Sequence, residues 1–398
     1  DSTPTDFSAK SVTQGVHFTR QAIIRAASSF EFGTSCLDGI PIKCVALCSN
    51  LLIDCLTFMF QVASFFAYYP PAMGSMVVKL IDKKDATFRP IVLFRSLYRL
   101  HGRLMAAATR EWEKTALAQT PFGNNQGRET LDSVFRCWVR QAILLTAGTA
   151  KAAADILIDL CKCFEYLSRD LLWKACSDHG YPMHIVRLSL QSYAWPRFIL
   201  GQYGLCGKTV VASGGIAAGS PFATTELKVY LLKLARALQI ASEPAVTLSI
   251  FVDDFSISTA QDTEEQTADA ITTAYRLAVS GLRELDLVVV PDKTELVASS
   301  KSLRALVQVV IPTCNQDNSC RKLGADVNYS KGTRSKKTTL KARRFAPKWA
   351  QPVRKARDAT FKARNQKCRR MLSGAVFRKI NRAGLVTGAL FGTEVAPI

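Results

Sequence analysis

The stretch "LSIFVDDFSIS", residues 248–258, sets two neighbouring carboxylates, Asp253 and Asp254, between two apolar runs of β-prone residues. Aspartate is depleted in strands, and a buried carboxylate is costly unless it is paired or binds a metal. Asp also favours turns, so one reading is a plain hairpin tip. The other is a site that needs two acids side by side. A second short apolar run, "ADILIDL" at 154–160, reads as a buried strand running into Asp159, 94 positions before Asp253. A sheet can bring both to one edge. Two or three convergent carboxylates on a rigid sheet suit hard divalent cations. Two such ions about 3.5–4 Å apart clamp the attacking and leaving oxygens of a phosphoryl transfer. That chemistry is mostly positioning and charge neutralisation, so it requires no nucleophilic side chain. A metal would also offset the repulsion between adjacent aspartates.

The bulk numbers fit a polyanion partner. The chain has 398 residues, 48% of them hydrophobic, and a net charge of +20. That length supports two or three structural units. The charge is concentrated: residues 331–398 hold 19 Lys and Arg against two acids, a net +17, and the preceding 330 residues carry only +3. A near-neutral body with a strongly basic tail points to a partner bound along one region. The twelve cysteines and four histidines show no zinc spacing, and reduced thiols in a nuclear or cytosolic protein are expected. The start does not read as a signal peptide, and the missing initiator Met fits a fragment. "LTFMFQVASFFAYY" (56–69) is short for a bilayer span and reads as a buried helix ended by Pro70 and Pro71.

Around the acidic stretches the pattern alternates. Residues 76–84 read as a strand entering a basic turn. Residues 88–114 begin extended, since Pro90 restricts Arg89, and become a helix with Leu93, Leu97, Leu100 and Leu104 on one face. A loop at 120–129 precedes a helix over about 130–147. Ser168 is a candidate N-cap for a helix running to Gly180, and Ser220 with Pro221 opens another whose apolar stripe is Leu227, Tyr230, Leu231, Leu234 and Leu238. A helix over about 263–285, a strand "LVVV" (287–290), a Pro-Asp turn and a strand "TELVAS" (294–299) follow. Strands alternating with two packed helices predict an α+β sheet covered on one face.

The order of these motifs resembles a reverse transcriptase of the non-LTR retrotransposon and group II intron type. "KLIDKKDATFRPIVLFRSLYRL" (79–100) is similar to the family's fingers segment around Arg-Pro-Ile, and "LIDLCKCFEYLS" (157–168) to its first palm motif. "GGIAAGSPFATTELKVYL" (214–231) resembles the Gly-rich motif that holds template and incoming nucleotide. "FVDDFSI" (251–257) resembles the aromatic-x-Asp-Asp motif, "LVVVPDKTELVAS" (287–299) the Lys-Thr motif and "RKLGADV" (321–327) the primer-grip hairpin. The chain departs from the pattern at Ala218, Ser220, Glu165 and Phe251.

The resemblance implies a right-hand polymerase fold. Its parts would be an N-terminal helical extension (1–70), fingers (71–150), a palm of antiparallel sheet backed by helices (151–330) and a partial basic thumb or tail (331–398). It implies an RNA-directed DNA polymerase with an RNA template, a DNA or RNA primer, dNTPs and two Mg²⁺ ions, which Mn²⁺ can replace. Asp159, Asp253 and Asp254 would be the catalytic metal ligands. Phe164 takes the place of the steric gate beneath the sugar, where a ring collides with a ribose 2′-OH. Lys79 and Arg89 are candidates for the incoming triphosphate, Lys293 for the pyrophosphate, and Gly215 and Gly219 for close approach to a nucleotide. No membrane partner is expected, and the location implied is nuclear or cytoplasmic. No endonuclease or ribonuclease H signature is visible. The alternatives are an inactive RNA-binding descendant and an RNA-dependent RNA polymerase, which Phe164 disfavours.

Overall fold

The computed structural model describes residues 16–34, 36–82, 88–125, 150–201, 204, 207–242 and 244–312, with the strand backbones at 315–316, 319–322 and 325–328. The expected helix over 130–147 and the basic tail from 331 lie outside the described residues. Two compact bodies divide the chain. One draws on Asp1–Gln126, Leu160–Ala237 and Ser280–Val288, the other on Gly127–Asp159, Leu238–Val279 and Val289–Ile398.

The first body holds helices α1 (Arg20–Ser28), α2 (Asn50–Phe66), α3 (Ser96–Ala116), the single turn α4 (Cys163–Tyr166), α5 (Arg169–Asp178), α6 (Met183–Tyr193) and most of α7 (Ala223–Ser242). Its sheet has the order β2 (Phe88–Leu93), β1 (Met76–Asp82), β4 (Arg197–Leu200), antiparallel then parallel. Side-chain caps start several helices. Thr19 Oγ1 accepts from Ala22 N–H (3.1 Å), Ser49 Oγ from Leu52 N–H (3.3 Å) and Ser168 Oγ from Leu171 N–H (3.4 Å), each satisfying a donor the helix leaves unpaired. Helix α5 ends as expected at Gly180, whose φ of +65° lets Tyr181 N–H return to Cys176 O at 2.9 Å. The core is aromatic. Tyr98 stacks on Phe94 (4.5 Å) and meets Tyr69 and Trp195 at 5.3 and 5.4 Å. His101 stacks on Phe60 at 4.8 Å and bonds Ser64 and Tyr69, both at 2.9 Å; burial drops its pKa to about 3, so it is neutral.

Four expectations change here. Helix α3 buries Tyr98, Leu100, His101, Gly102, Met105 and Trp112, whereas Leu97 and Leu104 are half-buried. Its packed face is built on aromatics and on Gly102, where a Cβ would sit 2.3 Å from Pro221 Cγ. Helix α2 is not a buried helix. It buries Ile53, Phe60, Ala63 and Ser64 and exposes Leu51, Phe58, Phe65 and Phe66, and it ends at Ala67 (φ +48°) before the prolines act. Helix α7 begins at Ala223, although Ser220 Oγ accepts from Phe222 N–H at 3.3 Å. "LVVV" is not a strand: Val288 O takes Cys161 N–H (2.8 Å), Val290 N–H goes to Asp159 O (2.9 Å), and Val288 is 52% exposed. No helix among the described residues is long and apolar enough to cross a membrane.

The second body is a five-stranded sheet with helices α8 (Glu264–Glu284, up to Val279) and α9 (Lys301–Val310). The strand order is β5 (Val246–Phe251), β6 (Asp254–Gln261), β3 (Ala152–Ile158), β7 (Glu295–Ala298), β8 (Asn315–Gln316). Residues directly opposite share a face and alternate along each strand. The registers Ile156↔Ile257, Ile156↔Leu296 and Ile158↔Phe255 therefore build one apolar face from buried side chains. The registers Asp155↔Ser258, Leu157↔Ser256 and Ser249↔Ser256 build the other, which is largely polar. The small run Ala152–Ala154 is fully covered, and Thr267 Oγ1 of α8 donates to Ala152 O at 3.5 Å. The last strands, β9 (Ser319–Lys322) and β10 (Ala325–Asn328), form the antiparallel hairpin expected at 321–327.

Candidate active site

The acids of the two motifs stand at the ends of adjacent strands. Strand β3 runs antiparallel to β6 down to Ile158↔Phe255; Asp159 follows the last paired residue of β3 and Asp254 precedes its partner on β6, so continuing the register would set the two opposite one another. Directly opposed Cβ atoms lie about 4.5–5.5 Å apart. Asp155 sits four residues upstream on the same face, buried, and accepts a short hydrogen bond from Ser258. Phe251↔Asp254 closes a two-residue hairpin whose tip is Val252–Asp253. Val252 has φ +58°, an outlier for a β-branched residue. Only the first tip residue has positive φ, the pattern of a II′ turn, which ordinarily calls for Gly there. The hairpin reading of the opening stretch holds, and Val252 at its tip is a backbone outlier of the kind that costs energy to keep.

Asp253 and Asp254 are exposed and Asp159 is half-exposed. Asp159 Oδ2 lies 3.7 Å from Lys293 Nζ, and Lys293 ends a single 3₁₀ turn, Pro291–Lys293. Thr294, fully buried, holds that turn by donating from Oγ1 to Val290 O at 3.1 Å. The donor set is all carboxylate, the chemistry a hard divalent cation requires. Among the described residues, no group of three or more His, Cys, Asp or Glu side chains is placed so as to hold a metal ion.

The remaining candidates lie in the first body. Lys79↔Ile91 and Ile81↔Arg89 put Lys79 and Arg89 on one exposed face of the β1–β2 hairpin as diagonal neighbours. Phe164, in α4, is half-buried and absent from the core, and Lys162 turns the chain into α4 at φ +44°. Phe164 O accepts from Ile216 N–H (2.8 Å) and Leu167 O from Gly215 N–H (3.1 Å). The Gly-rich segment 214–219 is therefore stitched to the segment that carries Phe164. Its glycines are needed for contacts within the chain. At Gly215 (φ +71°) a Cβ would lie 2.5 Å from Glu165 O, and at Gly219 (φ +109°) 2.9 Å from Val92 O.

The family described as reverse transcriptase (RNA-dependent DNA polymerase) matches residues 81–327, more than half of the chain. The chain belongs to this reverse transcriptase family. It is a family of nucleotidyltransferases, and its right-hand polymerase fold accounts for the mixed helices and antiparallel sheet described above. No curated protein matches the chain. Among solved structures it is similar to the apo telomerase from Candida tropicalis truncated from its C-terminal domain, at 13% identity and TM-score 0.46, covering 65% of this chain and 54% of that one. It is also similar to the telomerase from Candida albicans in complex with a TWJ fragment of telomeric RNA, at 13% identity and TM-score 0.47, covering 68% and 50%. The chain spans about half the length of these structures.

Three residues of this reverse transcriptase domain were invisible as site residues in the motif reading. Arg169, only 8% exposed, donates to Gly215 O (2.8 Å), Gly214 O (3.1 Å) and Tyr193 O (2.9 Å). Burial, helped by nearby Arg197, lowers its pKa to about 10. A signal existed: an Arg directly after an N-cap opposes the helix dipole. Glu226 is fully buried on α7 and accepts from Tyr193 OH at 2.5 Å; burial pushes its pKa up to about 7, against the pull of the Ser189 and Tyr193 hydroxyls. Its signal was an acid on the apolar stripe, one turn before Tyr230. Val252 is the third, a β-branched residue where the turn asks for Gly.

Proposed function

We propose that this chain is the polymerase core of an RNA-directed DNA polymerase that adds dNTPs to a primer 3′-OH on an RNA template. The observation that carries the reading is the β3–β6 register, which supports Asp159 and Asp254 acting together although they lie 95 positions apart in sequence. Asp159, Asp253 and Asp254 would hold the divalent ions, Mg²⁺ or Mn²⁺. When bound, such ions neutralise charge on the attacking and leaving oxygens of phosphoryl transfer. Lys293, 3.7 Å from Asp159, would supply a cation to the leaving pyrophosphate. Lys79 and Arg89 share the exposed face that would meet the triphosphate. The half-buried ring of Phe164 would lie beneath the sugar and reject a 2′-OH, with Gly219 in the loop alongside. In this reading 71–150 form the fingers and 151–330 the palm, with a basic thumb or tail from 331. The motif order favours a retroelement of the non-LTR or group II intron type, working in the nucleus.

The test is primer extension on poly(rA)/oligo(dT) with Mg²⁺ or Mn²⁺. Extension with dTTP is expected. Template binding without extension under either metal would make the chain an inactive RNA-binding descendant. Preference for UTP over dTTP would make it an RNA polymerase.

A further inference from the structure

Arg169 is a buried cation with no ion-pair partner among the described residues. Its guanidinium instead meets three main-chain carbonyls, at Gly214, Gly215 and Tyr193. Burying a charge this way is costly unless its donors are matched by fixed acceptors. The acceptors are fixed. Gly215 presses on the Glu165 main chain at a φ only glycine adopts readily, and Tyr193 ends α6. Two further main-chain bonds leave the same loop: Gly215 N–H to Leu167 O and Ile216 N–H to Phe164 O. The path from the guanidinium to the backbone of Phe164 therefore takes two hydrogen bonds and passes through two residues, Gly215 and Ile216. Phe164 is only half-buried, and its main chain is tied to the loop by the Ile216 bond.

We propose that Arg169 is the positioning residue of the nucleotide-sugar subsite, clamping the Gly214–Gly215 carbonyls so that the loop sets the height of the Phe164 ring. The inference rests on the reading of Phe164 as the sugar gate. Arg169 touches no nucleotide; it acts through Phe164. Replacing it should leave primer–template affinity intact while the nucleotide site loosens.

The experiment measures kcat/KM for dTTP and UTP with wild type, Phe164→Val, Arg169→Lys, Arg169→Gln and the double variant Phe164→Val/Arg169→Lys, well below each melting temperature. Arg169→Lys keeps the charge and loses the fork of donors. It should raise KM for dTTP and narrow the dTTP:UTP ratio by about tenfold, the scale of one lost positioning contact. In the Phe164→Val background the same change should have no further effect on the ratio, because the ring it positions is gone. A purely structural Arg169 would depress both nucleotides equally, and an unchanged ratio in folded Arg169→Lys and Arg169→Gln would overturn the proposal with the gate reading intact. If Phe164→Val itself leaves the ratio unchanged, the gate reading fails and the proposal with it. Wild type that does not extend the primer overturns both at the level of the polymerase assignment.

Discussion

The two bodies handle charge in opposite ways. In the second, Asp159, Asp253 and Asp254 stand half-exposed or exposed at the end of a sheet whose other face is apolar and sealed. In the first, Glu226 and Arg169 are buried and meet hydroxyls and main-chain carbonyls. An exposed carboxylate keeps its charge at little cost to the fold and stays available to a cation. A buried charged group is expensive, and what it can do is hold its neighbours in one arrangement. Under the proposed function the duties separate: the exposed acids of the sheet would serve the chemistry and the buried groups the geometry. Activity and stability should therefore respond to different residues.

The sharpest way to break this contrast is at the sheet. Asp159→Ala or Asp253→Ala should reduce primer extension by about 10³-fold or more, the scale for a group that acts only in the transition state. Melting temperature should barely move, since exposed substitutions typically stay within about 0.5 kcal/mol. Asp254→Ala should be severe but milder. Single-turnover extension paired with thermal melts checks both halves; wild-type-like extension by Asp253→Ala would remove the acids from the chemistry.

Glu226 should behave in reverse. Its folded pKa, about 7, lies above the ordinary carboxylate value of 4.5, so the folded state holds the proton more tightly than the unfolded chain. The stability tied to that proton is fully present below about pH 4.5 and is lost as pH rises towards 7. The loss is of the order of 3 kcal/mol above pH 8. Tyr193, Tyr181, Tyr98 and Cys176 surround it as neutral groups. Glu226→Gln should flatten the stability profile between pH 4.5 and 8 and raise stability at the alkaline end. Urea melts across that range decide it, and a profile identical to wild type would mean the carboxyl is solvated.

A smaller effect separates the two glycines of one loop. Gly215→Ala forces a Cβ to within 2.5 Å of Glu165 O at φ +71°, while Gly214 has open space and no positive φ. The first should destabilise by about 2 kcal/mol and the second by less than about 1. Equal losses would mean that the loop is not held against Glu165.

Much of this arrangement was legible from sequence because its causes are local. The Asp-Asp hairpin and the Ser168-to-Gly180 helix follow from caps, turn residues and period-two alternation within a dozen residues, whereas the β9–β10 hairpin was expected only from the family resemblance. What stayed hidden depends on partners far along the chain. Nothing near Arg169 announces carbonyls at Gly214 and Tyr193. The four β-prone residues at 287–290 form no strand ladder: Leu287 N–H turns back to Leu282 O, Val290 O accepts from Lys293 and Thr294, and only single bonds reach Cys161 and Asp159. On α3, Leu100 stays buried but Leu97 and Leu104 give way to Tyr98 and Met105, on a helix surface where Gly102 admits Pro221. Local pattern fixes which residues form an element; tertiary close approach decides which face is buried.

The smallest expected effect tests whether the strain at the hairpin tip belongs with the chemistry or the fold. At an ordinary strand position Gly is less stable than Ala by about 0.5–1 kcal/mol, through the entropy of the unfolded chain. At Val252 the order should invert. Val252→Ala and Val252→Gly lose nearly the same half-buried side chain, but Ala keeps a Cβ at φ +58°, where a left-handed L-residue costs roughly 1–2 kcal/mol. Val252→Gly should therefore be the more stable of the two, by a few tenths to about 1 kcal/mol. Extension should rank the other way, because a glycine tip no longer holds Asp253 in one orientation. If Ala is both the more stable and the less active variant, the strain belongs to packing, and the tip residue plays no part in presenting the acid.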